Sequence, residues 1–180
     1  MGERRALVVM TRVPEPGKTK TRMMPDLTPS QCAEFHACML RDISETCVAV
    51  AKRGVEVFVA FAPEGAREEV GAYFDVEAGY FPQRGATLGE RLGNAIGEVL
   101  SRGCSRVAVI GADSPEVGER DVVRALDALD RCDVALGPAD DGGYYLIAMS
   151  ALHPEALALD SFGHEGVFAE TVSCLERAGL

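Results

Sequence analysis

The sequence has no long apolar run, few aromatic residues and no closely spaced cysteine pair. No stretch approaches the length of about 20 apolar residues that crosses a bilayer. Met1 to Arg5 is charged and shows no signal peptide, so we expect a cytoplasmic protein without a membrane partner. The six cysteines form no CxxC motif and lie in apolar periodic segments. We therefore expect reduced, structural cysteines and no zinc site.

Cations are also scarce. The chain has 18 Lys and Arg residues against 28 Asp and Glu residues, which gives a formal net charge of −10. Such an acidic chain repels polyanions, so we do not expect nucleic acids or anionic membranes as partners. A phosphate-bearing ligand would need a local concentration of positive charge.

Strand and helix patterns alternate along the chain. The predicted strands are Ala6 to Met10, Val55 to Phe61, Arg106 to Ile110, Val134 to Leu136 and Tyr144 to Met149. The predicted helices run from Thr28 to Gly54, Glu64 to Ala72, Thr87 to Gly103, Glu119 to Arg131 and Gly166 to Ala178. This alternation predicts a three-layer α/β/α fold with a mostly parallel sheet and helices on both faces. The length of 180 residues suits a single domain over residues 1–180.

Three polar loops follow predicted strands, at Thr11 to Arg22, Gly111 to Pro115 and Gly137 to Gly143. Ligands of open α/β sheets bind beyond the carboxyl ends of the strands. The candidate functional residues are therefore expected in these loops.

The first loop concentrates positive charge on an acidic chain. Arg12, Lys18, Lys20 and Arg22 fall within eleven residues, and Gly17 would allow the backbone to approach a ligand. Because the last three cations alternate, an extended loop would present them on one side, where they could bind phosphate. A solvated basic loop is the alternative. A Walker A motif is excluded, because it requires glycine at position 12.

The other two loops carry carboxylates. Asp113 ends a hydrophobic strand and suits Mg²⁺, which takes one or two carboxylates plus substrate phosphates; alternatively it caps the turn that follows. Asp140 and Asp141 precede two glycines, and their adjacent charges favour a cation or a basic loop opposite them. An ordinary turn remains the alternative for this segment.

The loop motifs together resemble a bacterial family, the rSAM/selenodomain-associated transferase 1 group of GT-A-like glycosyltransferases. The resemblance lies in RVPEPGKTKTR at 12–22, RGATLGER at 84–91, GADSP at 111–115 and GPADDGGYYLI at 137–147. It runs from residue 6 to about residue 149 in the expected order. It implies the GT-A-like fold of nucleotide-diphospho-sugar transferases.

The resemblance also implies roles for individual residues. Lys20 and Arg22 would hold the phosphates of a nucleotide, and the segment from Gln83 to Arg91 would lie near its base or ribose. Asp113 would be the catalytic metal ligand, and Asp141 a second ligand or a group that orients the acceptor. The metal would be Mg²⁺ or Mn²⁺, and His164 is a candidate third ligand, with a surface histidine as the favoured alternative.

Two segments depart from the family pattern. Asp160 to His164 stands where the family usually has a Trp-Ser-Thr segment. Family members also tend to continue beyond the last helix into an acidic segment, whereas this sequence stops at Leu180. We therefore expect a domain that is shortened at its C-terminus.

Three functions are compatible with these motifs. The first is Mg²⁺-dependent glycosyl transfer from a nucleotide-sugar to a small-molecule acceptor. The second is nucleotidyl transfer from a nucleoside triphosphate (NTP) with release of pyrophosphate, and the third is nucleotide binding without turnover. The sequence leaves the base, the sugar, the acceptor and the choice between monomer and homodimer open.

Overall fold

The computed structural model describes residues 3–159 and 161–180. Six strands form one sheet in the order β3-β2-β1-β4-β6-β5. The strands are β1 (Arg5–Met10), β2 (Val55–Phe61), β3 (Ala78–Pro82), β4 (Arg106–Gly111), β5 (Val134–Pro138) and β6 (Tyr144–Met149). β1 to β4 pair in parallel, whereas β6 is antiparallel to both of its neighbours. The predicted α/β class with a mostly parallel sheet is thus confirmed.

In the described part of the chain, five α-helices cover the two faces of the sheet. They are α1 (Pro29–Ala51), α2 (Arg67–Gly71), α3 (Leu88–Ser101), α4 (Glu119–Ala128) and α5 (Val167–Ala178). Leu7 and Val9 of β1 lie in the core cluster that includes α1, α2 and α4, whereas Ala6 and Val8 lie in the cluster that includes α3 and α5. Because successive strand residues point to opposite faces, this alternation produces the three layers.

One strand, β3, was not predicted from the sequence. Ala78–Pro82 contains a glycine and a proline, and four of its five residues are only partly buried. It is an edge strand, where proline is tolerated because one side of the strand needs no partner.

The sheet register brings the polar loops to one edge. Met10 at the end of β1 is in register with Gly111 at the end of β4, and the Ala112 amide donates to the Met10 carbonyl. β6 runs in the opposite direction, so its first residue, Tyr144, lies at this same edge. All three predicted loops therefore meet beyond the carboxyl ends of β1 and β4.

No helix in the described part of the chain is both long enough and apolar enough to cross a membrane.

Candidate functional site

A cleft of about 870 Å³ lies at the carboxyl edge of the sheet. It is lined by nine of the side chains that the sequence singled out: Arg12, Lys18, Lys20, Arg22, Gln83, Arg91, Asp113, Asp141 and His164. Gly17 is not among the lining residues; it adopts φ 80° and forms part of a turn. The structure thus brings together residues that are more than a hundred positions apart.

The basic loop is folded, and the predicted extended conformation is wrong. The amides of Lys18 and Thr19 both donate to the Glu15 carbonyl, and a 3-10 turn follows at Thr21–Met23. Lys20 has left-handed backbone dihedrals (φ 52°), which are uncommon for a residue with a side chain. Lys18, Lys20 and Arg22 reach the same cleft because the loop turns back, and their alternation is not the cause.

Two buried side chains hold the base of this loop. The Thr19 hydroxyl donates to the Val13 carbonyl and accepts from the Glu15 amide, both at 3.0 Å. His36 of α1 donates from Nε2 to the Arg12 carbonyl at 3.1 Å. Burial lowers the pKa of His36, so the neutral ring is favoured in this position. His36 therefore positions the loop from beneath, a role that sequence patterns did not indicate.

Lys20 and Asp113 join the basic loop to the end of β4. Lys20 Nζ lies 2.8 Å from Asp113 Oδ1. The lysine side chain is only 16% exposed, whereas the aspartate side chain is 76% exposed. Asp113 thus pairs with a cation across the cleft instead of capping its own turn, and most of its carboxylate faces solvent in the cleft.

Gln83 and Arg91 form the side of the cleft near β3. The side-chain nitrogen Nε2 of Gln83 donates to the backbone carbonyls of Thr11 (2.7 Å) and Ala60 (2.9 Å). Gln83 therefore connects the ends of β1 and β2. Arg91 Nε donates to the Gly85 carbonyl, which leaves the ends of its guanidinium available to the cleft. Both residues line the cleft, and the side-chain amide of Gln83 is engaged by the backbone.

The turn between β5 and β6 carries Asp141. Its Oδ1 accepts from the Gly143 amide at 3.0 Å, so the carboxylate stabilises its own turn as well as lining the cleft. Gly142 adopts φ 81°, and an added Cβ would collide with the backbone of Glu165. This close approach fixes the segment that carries His164 against the turn.

The candidate ligands Asp113, Asp141 and His164 do not form a joint metal site. Within residues 3–159 and 161–180, no three His, Cys, Asp or Glu side chains are close enough to hold an ion. His164 accepts from the Gly166 amide at Nδ1, and its Nε2 lies 3.9 Å from Glu170. The exposed Asp113 carboxylate still fits Mg²⁺, which takes one or two protein carboxylates and completes its shell with substrate phosphates and water. The segment expected on the acceptor side is described from Ser161 onwards, and Asp160 lies outside the described residues.

This chain is similar to known proteins in both sequence and fold. The chain is 31% identical over 166 residues to 2-phospho-L-lactate guanylyltransferase of Methanothermobacter thermautotrophicus. The aligned segment covers 88% of this chain and 66% of that protein. The chain therefore spans slightly less than two thirds of that relative's length.

Solved structures give the same fold. A provisionally assigned nucleotide-diphospho-sugar transferase from Desulfovibrio desulfuricans G20 superposes with a TM-score of 0.87 at 28% identity, over 98% of this chain and 78% of that one. A 4-diphosphocytidyl-2C-methyl-D-erythritol synthase superposes with a TM-score of 0.58 at 13% identity, over 100% and 86% of the two chains. The fold is therefore the GT-A-like fold of nucleotide-diphospho-sugar transferases.

A family model matches residues 46–164 of this chain, which is more than half of its 180 residues. The chain belongs to the family DUF2064, described as uncharacterized proteins conserved in bacteria.

Proposed function

We propose that this protein is a nucleotidyltransferase that binds a nucleoside triphosphate in the cleft, transfers the nucleotidyl group to an acceptor phosphate and releases pyrophosphate. The observation that carries the proposal is the concentration of five cations in one cleft of an acidic protein, opposite Asp113. They are Arg12, Lys18, Lys20, Arg22 and Arg91. A triphosphate and a second phosphate together match this positive charge.

The proposed reaction is a displacement at phosphorus. An oxygen of the acceptor phosphate attacks the α-phosphorus, the bond from that phosphorus to the bridging oxygen breaks, and pyrophosphate leaves with the electron pair. An ionised phosphate oxygen carries no proton, so this step requires no general base. Lys20 and Arg22 would stabilise the negative charge that grows on the leaving group, which is commonly the largest contribution to such catalysis.

Asp113 would hold a Mg²⁺ or Mn²⁺ ion together with the substrate phosphates. The ion would supply further charge neutralisation at the phosphates. Since Lys20 already lies on Asp113, it would have to turn from the carboxylate towards the phosphates when the ligand binds. Asp141, which has one oxygen on the Gly143 amide, would orient the acceptor with its other oxygen.

The relatives support nucleotidyl transfer. A guanylyltransferase is 31% identical to this chain. Glycosyl transfer from a nucleotide-sugar is the second candidate, favoured by the TM-score of 0.87 with a nucleotide-diphospho-sugar transferase at 28% identity. The narrower assignment to the rSAM/selenodomain-associated transferase 1 group belongs to this second candidate.

We also propose that the protein acts in the cytoplasm.

A thermal-shift panel of nucleoside triphosphates and nucleotide-sugars, each with and without Mg²⁺, distinguishes the candidates. Stabilisation by a triphosphate, together with pyrophosphate release when acceptor phosphates are added, is the expected result. Stabilisation by one nucleotide-sugar with its slow hydrolysis would support glycosyl transfer instead. Binding without turnover over the whole panel would leave a nucleotide-binding protein.

A double variant tests the residues of the site. Lys20→Ala with Arg22→Ala should abolish the stabilisation by a triphosphate, because two of the five cations of the cleft are lost, and they are the two assigned to the leaving pyrophosphate. Arg53→Ala is the matched control, since Arg53 pairs with Glu119 and does not line the cleft. Unchanged ligand shifts in the double variant would exclude the assigned phosphate site.

A further inference from the structure

One wall of the cleft is apolar, and the proposed chemistry at the phosphates does not use it. It is formed by Leu88, Leu92, Phe162, Val167 and the ring of Tyr144, all of which line the cleft. We refer to these five residues as the apolar wall. Leu88 is the notable member, because it stands at the first position of α3 with 47% of its surface exposed.

The residues of the apolar wall pack closely on one another and on the hydrophobic core. Gly89 of α3 lies so close to the neighbouring segment that an added Cβ would be 3.2 Å from Phe162 Cε2 and would collide with the Leu157 carbonyl oxygen. Phe162 and Tyr144 pack on the core cluster that contains Leu92. The wall is therefore an extension of the hydrophobic core that opens into the cleft, and Leu88 stands at its rim.

Tyr144 adds to the apolar character of this wall. Its hydroxyl is buried, and burial raises the pKa of Tyr144 to about 12. The phenol is thus neutral at physiological pH, and the residue contributes a ring and no charge to the cleft.

The cleft is consequently divided by chemistry. The basic loop and Asp113 supply the charged part, where a triphosphate is proposed to bind. The apolar wall lies on the side formed by α3, β6 and α5, where Arg91 of α3 and His164 also line the cleft. Hydroxyl groups placed against Leu88 and Phe162 would lose hydrogen bonds to water that these side chains cannot replace, whereas apolar groups gain free energy when the same two side chains cover them.

We propose that the acceptor is a phosphate monoester with an apolar body, an alkyl or aryl phosphate, whose phosphate lies at the basic loop and whose carbon skeleton packs on the apolar wall. This proposal rests on the proposed function, and it names the substrate class of the same site. The bonds that form and break are those of the nucleotidyl transfer: the ester's phosphate oxygen joins the α-phosphorus, and pyrophosphate leaves.

Matched acceptor series test the proposal. Methyl, propyl, hexyl and phenyl phosphate are compared with glycerol phosphate and glucose 6-phosphate, with the triphosphate that stabilises the protein as donor. Pyrophosphate release gives kcat/KM, and calorimetric titration without nucleotide gives the acceptor Kd. We expect both quantities to improve by about fourfold per added methylene, the increment for burying one such group, until the wall is covered.

Two leucine variants test whether the apolar wall causes the dependence on acceptor chain length. Leu88→Ser should raise the KM and Kd for hexyl phosphate by about tenfold more than those for methyl phosphate, so that the dependence on chain length flattens. Leu152→Ser is the matched control, because Leu152 is similarly exposed (42%) and does not line the cleft. Both leucines lie partly in solvent, so both variants should fold, as thermal melting will verify.

The outcomes separate the two proposals. If glycerol phosphate or glucose 6-phosphate binds and reacts better than hexyl phosphate, the apolar acceptor is overturned and nucleotidyl transfer stands. If alkyl phosphates bind with the expected chain-length dependence but no triphosphate binds or turns over, the proposed function fails while the apolar site is supported. Equal effects of Leu88→Ser and Leu152→Ser would also overturn the assignment of the wall.

Discussion

Lys20 combines an unusual backbone conformation with the central contact of the cleft. Left-handed dihedrals at a residue with a side chain cost about 1–2 kcal/mol, and here the conformation directs Nζ to Asp113. In the proposed function, Lys20 neutralises the Asp113 carboxylate before the nucleotide binds and then donates hydrogen bonds to the phosphates.

Replacing Lys20 by methionine should therefore have opposite effects on two ligands. Without the cation, Asp113 is no longer neutralised, so Mg²⁺ alone should bind more tightly in calorimetric titrations. The triphosphate should bind about 10- to 100-fold more weakly, because a charge-assisted hydrogen bond is lost.

Lys18→Met is the control, since Lys18 pairs with Glu15 at 2.8 Å and does not contact Asp113. It should weaken the triphosphate without changing the affinity for Mg²⁺. An unchanged Mg²⁺ affinity in Lys20→Met would show that the two cations do not compete for Asp113.

His36 makes the stability of the protein depend on pH. Its pKa lies below the ordinary value of 6.5, chiefly because of burial. Between 6.5 and the folded-state pKa, the unfolded chain binds a proton that the folded chain does not, so the free energy of unfolding falls as the pH falls through this window. Urea denaturation from pH 7.5 to pH 5 should show this loss in the wild type.

Two substitutions separate the charge of His36 from its hydrogen bond. His36→Gln keeps an N–H donor for the Arg12 carbonyl and cannot be protonated, so its stability should fall less between pH 7.5 and pH 5. His36→Leu removes the donor as well and should destabilise the protein by about 1–3 kcal/mol at pH 7.5. Equal pH profiles for the wild type and His36→Gln would exclude His36 as the titrating group.

At the scale of elements, the turn between β5 and β6 depends on a close backbone approach. Gly142 needs left-handed dihedrals and has no room for a Cβ beside the Glu165 carbonyl, whereas Gly163 needs left-handed dihedrals (φ 90°) but has open space around it. Phe168 of α5 also donates its amide to the Gly142 carbonyl. The start of α5 is therefore docked on this turn.

The two glycines form a matched pair for mutation. Gly163→Ala should cost about 1–2 kcal/mol, the strain of the left-handed conformation alone. Gly142→Ala should cost more, because the clash adds to the same strain and moves α5 away from the turn. Thermal and urea denaturation measure both; similar losses in the two variants would show that the close approach is not rigid.

The elements that sequence patterns predicted well are those with a continuous apolar run or a clear helix start signal. β1, β2, β4 and β6 are buried apolar runs, and α1 begins at Pro29, directly after Thr28, which forms the predicted capping box with Gln31. β3 escaped prediction because an edge strand needs no such run. The cleft was predictable because strand ends bring their loops together, whereas the fold of the basic loop was not. It depends on tertiary contacts such as His36 with Arg12, which no local pattern encodes.

At the scale of the whole molecule, charge is strongly segregated. Five of the 18 cations line the cleft, and within residues 3–159 and 161–180 its lining includes just two carboxylates, Asp113 and Asp141. The complete chain carries a net charge of −10. An anion thus meets repulsion over most of the surface and attraction at the cleft, which favours small anions over polyanions that extend across the surface.

This segregation predicts how salt affects ligand binding. Screening shortens the range of charge interactions from about 10 Å at 0.1 M salt to about 3 Å at 1 M. Calorimetric Kd values for a nucleoside and its mono-, di- and triphosphate should therefore rise more steeply with NaCl for each added phosphate, while the nucleoside stays nearly constant. The slope should flatten in the Lys20→Ala and Arg22→Ala double variant and keep its wild-type value in Arg53→Ala. If the nucleoside and the triphosphate weakened in parallel, the base and ribose would account for the affinity, and the cations of the cleft would not bind phosphate.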